Sequence, residues 1–177
     1  MLFRSTPKEL RKLLVSMTKV VETQMCSNRW EDIVYPHVPS VAMNKYRRTF
    51  AKRDTERYSQ FIADVHAGVT KINASVLFPH ELYQAISRGD DASAVEAQWN
   101  SLPDYMGDST ERIIPVCDVS GSMSGLPMDV SVSLGIYISE RNKGPFKDAF
   151  ITFSNTPVME YLQGSLSDRK STRLNSS

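Results

Sequence analysis

Three side chains with hard oxygen donors stand at alternating positions in one short stretch, Val116-Cys117-Asp118-Val119-Ser120-Gly121-Ser122-Met123-Ser124. They are Asp118, Ser120 and Ser122, and they directly follow the apolar run Ile113-Ile114-Pro115-Val116. An extended segment that ends in Asp-x-Ser-x-Ser and passes into a helix puts one carboxylate and two hydroxyls on one side of a loop. In open α/β sheets, loops at the carboxyl ends of the strands are where ligands bind. Hard oxygens suit Mg²⁺, Mn²⁺ or Ca²⁺ and suit zinc poorly. The chemistry expected at Asp118, Ser120 and Ser122 is therefore coordination of a divalent cation.

Other chemistries fail at the same residues. An aspartyl-phosphate phosphatase would want Asp-x-Asp, and Ser120 stands where the second carboxylate should be. A hydrolase nucleophile elbow needs Gly-x-Ser-x-Gly, whereas Gly121 to Gly125 reads Gly-Ser-Met-Ser-Gly with Met123 at the nucleophile position. A phosphate-cradling loop ending in Gly-Lys-Ser/Thr is absent from the sequence. No base–nucleophile pair stands out, so the expectation is a protein that is not an enzyme. The plain alternative is a strand-turn-helix whose Asp and Ser merely cap the helix.

The elements that would hold this loop divide the chain in two. Thr6-Pro7-Lys8-Glu9 reads as a capping box, with Thr6 as N-cap and Pro7 at the first helical position. Leu10, Leu13, Leu14, Met17, Val21 and Met25 then recur at three- and four-residue spacing, one apolar helix face seeking a core. Pro36 and Pro39 break the pattern. Ser40 can cap a helix carrying Tyr46 and Phe50, Arg53-Asp54-Thr55 interrupts it, and Gly68 stops the next one. A further helix enters at Leu77–Leu82 and stops at Gly89. Asp90 or Asp91 restarts another, with Val95, Trp99 and Leu102 inward. Residues 1–103 thus read as an all-helical domain and 104–111 as a linker rich in turn formers. From Arg112 the pattern changes to strand (112–117), loop, helix (Pro127 to Glu140), strand (Ala149 to Phe153), and an antiparallel edge strand (Val158 to Leu162). Pro115 is awkward inside a strand, because it removes a ladder donor.

Composition sets broad bounds. With 177 residues, 41% hydrophobic and 23% charged, the chain is globular material for one large or two small domains. A net charge of +1 argues for no particular partner. Cys26 and Cys117 form no disulfide framework and no metal-ligand spacing, and Cys117 reads as a small buried hydrophobe. No apolar run approaches the ~20 residues that cross a bilayer, and Met1 to Lys12 has no signal-peptide core. The expected location is cytoplasmic, with nuclear not distinguished, and no membrane partner is expected.

The Asp118-x-Ser120-x-Ser122 stretch, with Gly121 and the preceding apolar strand, resembles the first part of the metal-ion-dependent adhesion site of von Willebrand factor type A domains. Val38-Pro39-Ser40-Val41-Ala42-Met43, Tyr46, Phe50, Asp54, Arg57-Tyr58 and Leu77-Phe78-Pro79-His80-Glu81 precede Ile114 to Met123. Together they resemble domain-of-unknown-function family 2828 over roughly Met1 to Gly164. The resemblance implies a mixed fold: an all-α N-terminal region plus the first part of a doubly wound, Rossmann-like α/β type A domain, spanning 112–166. It implies a bound Mg²⁺ (or Mn²⁺ or Ca²⁺), with Asp118 acting through water and the two hydroxyls directly. An open coordination position would accept a carboxylate from a partner protein. In that family a Thr and an Asp from two later loops complete the site. Those loops would fall after Gly164, and Thr152, Thr156 and Asp168 are not assigned to the roles. Ser165 to Ser177 holds two leucines and no aromatic residue, too little for a further sheet helix, and residues 167–177, with the run Asp168 to Ser177, read as a non-native or disordered tail.

A second reading starts from Lys45, Arg47, Arg48, Lys52, Arg53 and Arg57, interleaved with Tyr46, Phe50 and Tyr58. On a helix, Lys45, Arg48 and Lys52 share a face opposite Tyr46 and Phe50. That face would suit an RNA phosphate backbone, as in ring-shaped Ro-type proteins of similar architecture, and no DNA is expected. The bland counterpart is a solvated basic face behind core aromatics. His37, His66 and His80 have no metal spacing.

Overall fold

The computed structural model describes residues 6–17, 20–107, 111–153 and 156–169. It is mixed: mostly helical, with a small three-stranded sheet. Helix α1 (Pro7–Met17) begins with the expected capping box: the Thr6 N–H donates to Glu9 Oε2 at 2.8 Å and the Glu9 N–H to Thr6 Oγ1 at 3.3 Å. Helix α2 (Val21–Cys26) follows an extended Val20. Two 3-10 turns, Trp30–Asp32 and Tyr35–His37, lie where Pro36 and Pro39 forbid a longer helix. Then come α3 (Ser40–Arg53), α4 (Thr55–His66), α5 (Pro79–Ser87) and α6 (Ala92–Asn100). Asp54 alone separates α3 from α4, Gly68 and Gly89 take positive φ after their helices, and the Asp91 carboxylate caps α6 by accepting from the Ser93 N–H at 3.0 Å.

One difference from the expected pattern concerns the first apolar stripe. Val21 is buried, but Leu10, Leu13, Leu14 and Met17 are between 47% and 72% exposed. The extended backbone at Val20, φ −79° and ψ 146°, ends the helical continuity on which a single face from Leu10 to Met25 depended. The core of the helical region lies instead on Tyr35, Phe50, Tyr58 and Phe61, whose rings meet edge-on, tilted or stacked with centroids 5.4–6.5 Å apart.

After α6, strand β1 (Val116–Asp118) leads through a 3-10 turn (Gly121–Met123) into α7 (Leu126–Arg141). Strands β2 (Ala149–Phe153) and β3 (Val158–Tyr161) follow. β1 pairs parallel with β2, and β2 pairs antiparallel with β3, which lies at the sheet edge as expected. The first strand is shorter than the expected 112–117. Pro115 sits just outside it, so its missing N–H breaks no ladder, while its carbonyl still accepts from Ile151 N–H at 2.9 Å.

α7 carries small residues where it meets the sheet. A Cβ added at Gly135 would stand 2.1 Å from Cys117 Sγ, so only glycine permits this approach of helix to strand. The Ser139 hydroxyl, fully buried, donates towards Ala149 O at 2.8 Å. On its other side α7 meets the helical region. Leu82, Tyr83, Val95 and Trp99 share one apolar cluster with Cys117, Val132, Ile136 and Phe150. Trp99 Nε1 donates to Glu140 Oε2 at 2.6 Å, Arg141 Nη2 to Trp99 O at 3.1 Å, and Gln84 Nε2 to Asp129 Oδ2 at 3.0 Å. This apolar core therefore draws on residues from both sides of the expected linker. Leu162 and Leu166 close it from the far end, and Arg169 Nη1 lies 2.8 Å from Glu140 Oε2. Of the expected tail, residues 170–177 lie outside the described residues.

Candidate functional site

Asp118 is the last residue of β1, aligned with Phe153 of β2, and the neighbouring Cys117 is buried beneath α7. Strand alternation thus turns Asp118 away from the helix-covered face and to the strand's carboxyl end. The Ser120 N–H donates to Asp118 Oδ1 at 2.9 Å, folding the chain back over the carboxylate. The next turn is held by Met123 N–H to Ser120 O at 2.9 Å and by Ser124 Oγ to Gly121 O at 2.8 Å. That turn brings Ser122 Oγ to 3.0 Å from Ser120 Oγ. Asp118, Ser120 and Ser122 are therefore brought together, with Asp118 and Ser120 half-buried and Ser122 exposed.

The capping alternative is absent from this geometry. α7 starts after Gly125, at φ 87° and ψ −141°, a backbone conformation that favours glycine, and no side chain caps it. Hydrogen bonds from Ser120, first its backbone N–H and then its side chain, hold the Asp118 carboxyl below its ordinary value. The carboxylate is ionised, and together with two hydroxyls it makes an all-oxygen donor set of the kind hard cations take. The buried Cys117 beside it is the opposite case: burial pushes its thiol up to about 11.

Thr152 and Asp168 are engaged elsewhere. The Thr152 hydroxyl is buried in the β2–β3 hairpin, 3.3 Å from the Val158 N–H, and Asp168 Oδ2 accepts from Ser165 N–H at 2.9 Å. Among the described residues, no three or more His, Cys, Asp or Glu side chains come together. His66 Nε2 lies 2.9 Å from Ser93 Oγ, and His80 stacks on Phe78. The Asp118 loop lines neither of two clefts in the helical region, one of about 990 Å³ beside α2 and α3 and one of about 430 Å³ between α3 and the end of α5. No described helix is long and apolar enough to cross a membrane.

The basic stretch is split by the fold. Lys45, Arg48 and Lys52 are exposed on α3, as the helical spacing implies. Arg57 is tied down by Ile33 O at 2.6 Å and Asp54 Oδ2 at 3.0 Å. Arg47 is 2% exposed, which sequence reasoning missed. The signal was present, because Met43, Arg47 and Phe50 recur at spacings of four and three on the buried face of α3.

A family model described as a domain of unknown function, DUF2828, matches residues 2–111, and a second, DUF7788, matches residues 112–176. An uncharacterized protein of Acanthamoeba polyphaga mimivirus is 34% identical over 180 residues. The match covers 90% of this chain and 31% of that relative, so the chain spans about a third of the relative's length. No solved structure matches. With its helical region matched throughout, the chain belongs to the DUF2828 family.

Proposed function

We propose that Asp118, Ser120 and Ser122 form part of a divalent-cation site through which the protein binds a carboxylate-bearing partner protein, without catalysis. The observation that supports this reading is the convergence of one ionised carboxylate with two hydroxyls 3.0 Å apart, on a half-exposed loop at the end of a parallel strand. The donor set fits Mg²⁺, Mn²⁺ or Ca²⁺, which take six or more oxygens and accept water or a partner's carboxylate where the protein leaves room. When bound, the cation supplies the charge that a partner carboxylate would meet. Ser120 and Ser122 would hold it, and Asp118 would neutralise part of its charge. We read residues 112–166 as part of a von Willebrand factor type A-like, doubly wound domain. Parallel β1 and β2 joined by α7, with β3 antiparallel at the edge, are consistent with that architecture.

Calorimetric titration with MgCl₂ tests the reading. Wild-type protein should bind, and Ser122→Ala should weaken binding at least ~10-fold, since even outer-shell partners of a metal account for that much. Because the Asp118 carboxyl is depressed, its charge is present at neutral pH and is lost only as pH falls through that lowered value. Affinity should therefore persist to lower pH than an unperturbed aspartate would allow, and be lost as pH falls further. Absence of Mg²⁺ binding in the wild type would remove the proposal. The alternative reading, RNA on the exposed α3 face, predicts binding that falls steeply with salt and is indifferent to chelator.

A further inference from the structure

The buried Arg47 carries a charge that the cation loop does not explain. Its Nε donates to Asn44 O at 3.2 Å, and its Nη2 donates to Asn44 Oδ1 and to Gln98 Oε1, the latter at 2.9 Å. All these acceptors are neutral. Its Nη1 is buried and has no hydrogen-bond partner. A guanidinium does not give up its proton in a protein, and a buried cation paired only with neutral groups is costly. Burial lowers its pKa, while Asp90 acts in the opposite direction without coming into ion-pair contact with it.

Arg47 also lines the cleft of about 430 Å³, together with Asn44, Lys45 and Arg48 of α3, Glu81 of α5, and Arg88 and Asp90 just after α5. Arg48 and Arg88 both pair with Asp90, the latter at 3.5 Å, and keep side chains 59% and 52% exposed. Glu81 Oε2 accepts from the Phe78 N–H at 2.8 Å, at the start of α5. Four cations thus face two carboxylates, a surplus of two positive charges around an open cleft.

We propose that this cleft binds the phosphate group of a small phosphorylated ligand, with the buried Arg47 at its floor and Arg48 and Arg88 at its rim. The surplus matches a phosphate dianion, and guanidinium forks match phosphate oxygens in pairs. A cleft of this volume admits a phosphate with a small organic group. Recession of Arg47 below the surface favours a compact ligand over an extended nucleic-acid backbone.

Thermal melting of the full chain in sodium phosphate, in a nucleoside 5′-monophosphate, and in sodium chloride at matched ionic strength tests this. Saturating phosphate or monophosphate should raise the melting temperature by about 2–4 °C over chloride. A larger shift with the monophosphate assigns part of the cleft to the organic group, and equal shifts assign it to a free oxyanion. Arg48→Gln with Arg88→Gln should remove the shift without loss of cooperative melting. Arg47→Met, which replaces the buried cation by an apolar chain, should do the same, and the rim variant stands alone if Arg47→Met does not fold. The proposal is overturned if neither phosphate compound exceeds chloride or if the shift survives the rim substitutions. RNA binding that survives them while monophosphates shift nothing would also overturn it.

Discussion

The helical and sheet regions hold their charged groups in opposite ways. On α3, Arg47 is a cation folded inward and held by the neutral side chains of Asn44 and Gln98. At the end of β1, Asp118 is an anion held outward by the backbone of its own loop. The net charge of +1 therefore hides local differences: a cleft lined by four cations and two carboxylates in one region, and a half-buried carboxylate on a loop in the other. The regions differ in packing too. Rings of Tyr35, Phe50, Tyr58 and Phe61 meet one another within the helical interior. The sheet is covered on one face by α7, and Val116, Phe153, Met159 and Tyr161 on the other are 40–60% exposed. The strands are held through α7, and α7 is held by α5 and α6, so the anionic loop depends on the helical region for its position.

That dependence can be broken most severely at Trp99. It is fully buried, belongs to the cluster shared by the helical and sheet regions, and bonds Glu140 of α7. Trp99→Ala should cost ~3–5 kcal/mol. The loss should appear in urea melts as one transition moved to lower denaturant, with helix and strand signals falling together. Separate transitions for the two regions in the wild type would contradict the shared core.

Gly135→Ala strikes only the α7–β1 contact. The added methyl collides with Cys117 Sγ, and overpacking of this kind costs ~1–3 kcal/mol, more than the small gain in helix propensity returns. Pairing it with Cys117→Ala should restore much of the loss, and failure of that rescue would count against the contact. The smallest perturbation is alkylation of the native protein near pH 8. Exposed Cys26 should react, while Cys117, buried with its thiol raised to about 11, should react only after denaturation. Equal native rates would place Cys117 outside the core.

Much of this was legible in the sequence where local rules act alone. Thr6 and Glu9 formed their capping box, Asp54 interrupted α3 and α4, and β3 paired antiparallel at the edge. The loop residues Asp118, Ser120 and Ser122 converge because their spacing and a tight turn suffice. What escaped depended on distant partners. Arg47 lies at a core spacing, but its residue type argued for solvent, and one of its partners in the interior, Gln98, is 51 positions away. Gly135 reads as an unremarkable helix glycine until Cys117 is packed against it. The stripe Leu10, Leu13, Leu14 and Met17 has the right period for burial and yet lies exposed, because periodicity describes a face and does not supply its cover.

The cation proposed at Asp118, Ser120 and Ser122 can be located by paramagnetic broadening with Mn²⁺ in a ¹H–¹⁵N correlation spectrum. Substoichiometric Mn²⁺ should broaden amides of residues 118–124 first, and excess Mg²⁺ should restore them. Broadening centred elsewhere, or none confined to this loop, would contradict the account.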